Sequence, residues 1–124
     1  MAAVKGKNTH PELLVRRIVH RLGYRFRLHV RDLPGVPDLV FPRLKRVIFV
    51  HGCFWHLHSC RHGQIAPRSN AAFWRKKREG NRARDQKHLR ALRRSGWKAL
   101  VVWECRLKNR ERLSERLLKF LSAS

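Results

Sequence analysis

One mixed α/β domain, a central sheet flanked by helices, is the fold class this sequence predicts. Three observations lead to it. The chain has 124 residues and is 43% hydrophobic, enough for one buried core and little more. Its apolar runs, VIFV at 47–50 and ALVVW at 99–103, have strand length, not helix length. Around them lie segments with apolar residues three or four positions apart, the spacing of a helix with one buried face.

The elements follow in order. Pro11 and the segment ELLVRRIVHRLG predict a helix, with Thr9 or His10 as its cap and Gly23 closing it. Leu14, Ile18 and Leu22 share one face, and Arg16, Arg17 and Arg21 point outward. Tyr24–Val30 alternates as a strand does. LPGVPDLVF then carries turn chemistry at Pro34-Gly35 and Pro37 before a short strand, Asp38–Phe41. Lys45–Val50, apolar on both faces, reads as a central strand. Residues 51–65 read as a loop and Asn70–Ser95 as a long helix stopped by Gly96. KALVVWE reads as a buried strand. A last helix spans Arg110–Leu121, with Leu113, Leu117, Leu118 and Leu121 on its apolar face. Phe73, Trp97 and Trp103 are expected in the core.

Thirty Lys+Arg against eight Asp+Glu give a formal net charge of +22. Such a balance attracts polyanions, nucleic acid above all. The arginines are spread along the chain (Arg16, Arg17, Arg43, Arg75, Arg78, Arg84, Arg90, Arg93 and Arg94 among them), which predicts a folded basic surface and not a basic tail. No apolar run is long enough to cross a bilayer, and MAAVKGKNTHPE has no signal-peptide core. No segment pairs a basic face with a strongly apolar one, so no membrane partner is expected. A soluble, intracellular protein is the expectation.

The segment VIFVHGCFWHLHSC, residues 47–60, concentrates the chemistry. Three cysteines, an odd number, argue for a metal site over a disulfide framework. Cys53, His58 and Cys60 lie within eight residues, and Cys105 follows a predicted strand. The loop after one strand would meet the end of another, closing a tetrahedral Cys3His zinc site with no open position, hence structural. From spacing alone His56 is an alternative to His58 as the fourth ligand, and His62 reads as a solvated loop histidine. His51 ends a strand. Among the acids, Asp85, Glu111 and Glu115 read as ion-pairing partners of neighbouring arginines and Asp32 as a turn residue. Asp38 starts an apolar strand beside the end of the next, where it is either a turn cap or a Mg²⁺ ligand, with Glu12 as a second candidate.

VPDLVF, VIFVHGCFWHLHSC, FWRKKREGNRARD and GWKALVVWEC, in that order and spacing, resemble the Vsr-type very-short-patch-repair endonucleases, from about Lys7 to Glu111. The resemblance implies a restriction-endonuclease-like fold, related to the PD-(D/E)XK group. It implies Mg²⁺-dependent nicking of double-stranded DNA 5′ of the thymine in a T:G mismatch, the product of 5-methylcytosine deamination. Carried over by position, Asp38 is the catalytic Mg²⁺-binding aspartate, and the backbone carbonyl at Val50 is a further Mg²⁺ ligand. His56 activates the attacking water, His51 supports it, and Glu12 orients water at the metal. Cys53, His58, Cys60 and Cys105 are the zinc ligands. Phe54, Trp55 and Trp74 are wedges inserted beside the mismatch, where unstacking costs least. Lys77 and Asn81, which share a helix face with Trp74, contact the mismatched bases. The resemblance further implies a bacterial cytoplasmic, nucleoid-associated monomer with a MutL-like repair protein as partner.

Relatives carry an N-terminal arm across the minor groove. This sequence starts at MAAVKGKNT, so the expected domain, residues 1–124, lacks most of that arm, and Met1 falls near the position of an intercalating methionine. Looser mismatch discrimination is the consequence. Two other readings compete: a Vsr-like nickase of different specificity in defence or a mobile element, and a zinc-stabilised nucleic-acid-binding module without catalysis. Asp38 together with His56 favours an enzyme, since binding alone needs neither.

Overall fold

The computed structural model describes residues 9–123 apart from 57 and 66. Met1 lies outside the described residues, as does the side chain of His62. Helix α1 spans His10–Arg21, and Thr9 is its cap: the Thr9 hydroxyl accepts from the Glu12 N–H while the Glu12 carboxylate accepts from the Thr9 N–H. This reciprocal box satisfies two N–H groups that a helix start would otherwise leave unpaired. Strands β1 (Arg27–Leu28), β2 (Leu39–Phe41) and β3 (Arg46–His51) follow, then helix α2 (Ala71–Arg94), strand β4 (Lys98–Trp103) and helix α3 (Arg110–Ser122). Short 3₁₀ turns occupy His62–Gln64 and Glu104–Arg106.

The sheet has the order β1-β2-β3-β4. The first three strands are antiparallel, and β3 and β4 are parallel, joined by α2. Alternation of side chains along the strands feeds two cores. Leu39, Phe41 and Ile48 pack on one face with Leu14, Val15, Ile18 and Val19 of α1 and Leu113, Leu117 and Leu121 of α3. Val40, Val47 and Phe49 face the other way, toward Leu92 of α2. The result is a four-stranded mixed sheet between helices, as the apolar spacing predicts.

Several details differ from the sequence reading. The strand expected over 24–30 contracts to Arg27–Leu28, because His29 adopts a left-handed φ of 49° that ends the extended run. Strand β4 is an edge strand, so only Val102 is fully buried and the others are half-covered or exposed. Leu118 is turned outward at the margin of α3's apolar face. Phe73 is 58% exposed and not in the core; the buried residues of α2 are Arg78 and Leu92. Arg16 is tucked against Glu12 and His29 and does not point outward. Arg78 is buried, where a surface position was expected.

Candidate active site and metal centre

The parallel register of β3 and β4 pairs His51 with Trp103. Two residues beyond each of these stand Cys53 and Cys105, so the loop after β3 and the turn after β4 leave the same end of the sheet together. Ligand sites in α/β sheets form at this carboxyl end. Cys53, His58, Cys60 and Cys105 present their donor atoms within 4.8 Å of one another, and His58 Nδ1 lies 3.6 Å from Cys105 Sγ. Burial pushes the Cys53 thiol up to about 12, although the Cys105 N–H acts the other way. At Cys60 desolvation also acts upward, but hydrogen bonds from the Gly63 N–H and from His58, Cys53 and Cys105 outweigh it and bring the thiol down to about 6. Three sulfurs and one imidazole in this spacing form a donor set that fits a borderline-soft cation such as Zn²⁺. His56 is not part of this cluster.

His56 belongs to a second group. Its ring stacks flat on that of His51, with centroids 3.9 Å apart and planes 4° from parallel. Its Nδ1 lies 2.5 Å from Asp85 Oδ2, a close hydrogen-bonded contact. His51 Nδ1 is 3.9 Å from the same oxygen; it is buried and has no hydrogen-bond partner among the described residues. Burial, reinforced by the neighbouring His56, lowers the His51 pKa to about 4 against a small opposing effect of Asp85, so this ring is neutral near pH 7. Trp103, expected in the core, instead stands between the two groups. It stacks on His58 at 4.1 Å and meets His51 and His56 edge-on at 5.3 and 6.4 Å.

Asp38 faces this pair across a cleft of about 190 Å³ lined by Gly35, Val36, Asp38, Phe49, Val50, His51, His56, Asp85 and His88. Its Oδ2 accepts from the Val50 N–H at 2.6 Å, which fixes the carboxylate across β2 and β3. Desolvation raises its pKa to about 7; the Val50 bond acts downward, and Glu12 adds to the rise. Glu12, His29 and Asp38 present donor atoms within 4.8 Å of one another, so the carboxylates form an oxygen-rich group that fits a hard divalent cation. Val36, β-branched, holds a left-handed φ of 46° at the cleft mouth. Strain of this kind accumulates at functional sites.

Helix α2 braces the loop with a stripe of polar residues. Arg78 donates to the carbonyls of Phe54 (2.7 Å), Ile65 (2.9 Å) and Gly63, and its guanidinium lies 4.2 Å from the Phe54 ring centroid. Asn81 Nδ2 donates to the Trp55 carbonyl at 3.0 Å and Asn81 Oδ1 accepts from Arg84. Asp85 takes His56. Phe54, Trp55 and Trp74 form an edge-to-face aromatic cluster, with Phe73 against Trp74. Lys77 is exposed.

Sequence reading missed Asp85 and His29. By sequence Asp85 reads as a partner of neighbouring arginines. The signal that could have found it is its spacing from Arg78 and Asn81, seven and four residues, the spacing of one helix face. His29 has no such signal, because it reaches Glu12 and Asp38 only after β1 is folded onto β2.

Comparison with known proteins identifies the family. The family described as DNA mismatch endonuclease Vsr matches residues 1–62. A type II nicking enzyme, V.XorIIP of Xanthomonas oryzae pv. oryzae, is 52% identical over 124 residues, covering 100% of this chain and 90% of that protein. V.NmeAIP of Neisseria meningitidis serogroup A, also a type II nicking enzyme, is 44% identical over 94% of this chain and 83% of its own length. The DNA mismatch endonuclease Vsr of Escherichia coli is 37% identical over 95% of this chain and 75% of its own. With likeness at these levels running through the strands, the loop and the long helix, the chain belongs to the Vsr family of DNA mismatch endonucleases.

Proposed function

We propose that this protein nicks one strand of duplex DNA by Mg²⁺-dependent hydrolysis, 5′ of the thymine in a T:G mismatch, in the repair of deaminated 5-methylcytosine. The single observation that carries the reading is the convergence of Asp38, His51, His56 and Asp85 on one cleft, directly beside an aromatic loop.

His56 is the general base. With its Nδ1–H given to Asp85, the lone pair of Nε2 is left to take a proton from water. Asp85 holds that tautomer and steadies the imidazolium that forms. Neutral His51 stacks on His56 without adding a competing charge. Asp38, anchored by Val50, keeps one oxygen for a divalent cation, with the Val50 carbonyl and Glu12 as further candidates. When bound, that cation supplies charge stabilisation for the phosphate and the leaving 3′-oxygen. The Cys3His cluster has four protein ligands and holds zinc as a scaffold for the loop. Phe54, Trp55 and Trp74 enter the base stack, and Lys77 and Asn81 read the mismatched bases. One nick needs one such cleft, so a monomer suffices, and a MutL-like protein as partner belongs to the same repair reading.

A second reading has its own support: the relatives at 52% and 44% identity are named type II nicking enzymes. On that reading the chain nicks in association with restriction or defence, with a different site preference. Strand-labelled duplexes, one with a T:G mismatch in CTAGG context and one fully paired, separate the two when incubated with Mg²⁺. A nick 5′ of the mismatched thymine, absent with Asp38→Ala, is the expected result. Equal nicking of both duplexes would favour the second reading, and binding without any nicking would overturn both.

A further inference from the structure

We propose that His29 supplies a nitrogen ligand to the divalent cation held by Asp38, and so raises the affinity of this cleft for first-row transition ions such as Mn²⁺ by more than it raises that for Mg²⁺. The inference rests on the reading of Asp38 as a cation ligand and adds a residue to it.

His29 Nδ1 lies 4.0 Å from Asp38 Oδ1, the carboxylate oxygen not used by the Val50 N–H. Two ligands of one small cation, each about 2.1 Å from it, stand roughly 3–4 Å apart, so little movement closes this pair on an ion. The other ring nitrogen faces a carboxylate: His29 Nε2 is 3.3 Å from Glu12 Oε1. With the proton on Nε2, Glu12 accepts it and the Nδ1 lone pair is turned to Asp38. A carboxylate–histidine–metal arrangement has this form, the carboxylate setting the tautomer and orientation of the ligand ring.

Glu12 is held for that part. It is buried at 5% exposure, fixed by the capping box at Thr9 and paired with Arg16 Nη2 at 3.4 Å. Arg16 Nη2 also lies 3.2 Å from His29 Nε2, the contact that serves the other tautomer, with Nδ1 protonated. The backbone at His29 is itself costly. A non-glycine residue at φ 49° persists only where the surroundings over-determine it, and here it aims the ring into the carboxylate pair. An oxygen-only shell suits Mg²⁺, whereas an imidazole nitrogen raises the affinity of first-row ions relative to it.

Mn²⁺ gives the test, because pulsed EPR detects nitrogen bound to it directly. Zinc-loaded protein is titrated with Mn²⁺ without DNA, and its electron spin-echo modulation is recorded for wild type, His29→Gln, His29→Asn and Asp38→Asn. Asparagine tolerates the left-handed backbone, which guards against a folding defect at this position. The expected result is a ¹⁴N modulation in wild type that both His29 variants lose, with Mn²⁺ affinity falling at least tenfold and Mg²⁺ affinity changing less than threefold. Mn²⁺ bound through Asp38 with no ¹⁴N modulation, or with one that survives in the His29 variants, would overturn the inference and leave Asp38 as a ligand. Mn²⁺ binding indifferent to Asp38→Asn would instead remove the underlying reading.

Discussion

At the scale of single residues, the site depends on opposite shifts of two groups. Asp38 in the folded protein titrates near 7 against an ordinary 3.8, because burial disfavours its charge. The native state then holds this proton more tightly than the unfolded chain, so the stability it contributes is lost as pH rises from about 4 to about 7. His51 behaves conversely. Its folded pKa is near 4 against 6.5, and its contribution is lost as pH falls from about 6.5 to about 4. Asp38→Asn keeps an acceptor for the Val50 N–H and removes the buried charge. Urea unfolding without added Mg²⁺ should find the variant more stable than wild type by on the order of 2 kcal/mol at pH 8, and by much less at pH 5. A gap equal at both pH values would show that Asp38 is not desolvated as described. Asp85 has a different test. Asp85→Asn leaves a hydrogen-bonding side chain beside His56 but removes the carboxylate that orients it. We expect kcat for nicking to fall by about 10²-fold with KM nearly unchanged; a loss confined to KM would make Asp85 a binding residue.

Elements explain why so irregular a loop holds its shape. The stripe Arg78, Asn81 and Asp85 on α2 grips the carbonyls of residues 54 and 55 and the imidazole of residue 56 in turn. Arg78 alone satisfies three loop carbonyls while 4% exposed. Removing it leaves one buried and two partly buried carbonyls without this partner, and a buried one alone costs roughly 1–3 kcal/mol. Arg78→Met should therefore lower stability by about 3 kcal/mol and speed zinc release to a colorimetric chelator, even though Arg78 is not a metal ligand. Unchanged zinc release would mean the cluster holds the loop without help from α2. Gly63 bears on the same element. A Cβ there would collide with the His58 carbonyl, so the turn that presents Cys60 needs glycine for close approach, not for a positive φ.

Charge and sheet topology act on the whole molecule. A net charge of +22 makes association with DNA strongly electrostatic, independent of which reading of the site holds. If six to ten phosphates are contacted, affinity for any duplex falls by roughly 10³–10⁵ between 50 and 200 mM salt. A fluorescence-anisotropy titration checks this, and a shallow slope would mean that the basic helix faces do not lie on the phosphates. The parallel β3–α2–β4 unit matters as much, because it puts the loop after β3 next to the turn after β4. Among the described residues no helix is long and apolar enough to cross a membrane.

The elements themselves were legible in the sequence, since helix and strand periods are local properties of the chain. Leu14 and Ile18, Val47–Phe49, and Leu113, Leu117 and Leu121 sit in the core for that reason. The grouping of the three cysteines was legible too, because soft donors are few and had no other use, whereas spacing alone left His56 and His58 as alternatives for the fourth ligand and the family resemblance pointed to His58. Contacts across elements were not. Phe73 is apolar like a core residue but lies exposed on the first turn of α2. Trp103 became a wall between two clusters because the parallel register sets it beside His51, where it also meets His56 and His58. Asp85 and His29 took their partners from residues 29 and 17 positions earlier in the chain. Such pairings are set by strand register and helix placement, which depend on the packing of the whole chain and leave no periodic trace in the local sequence.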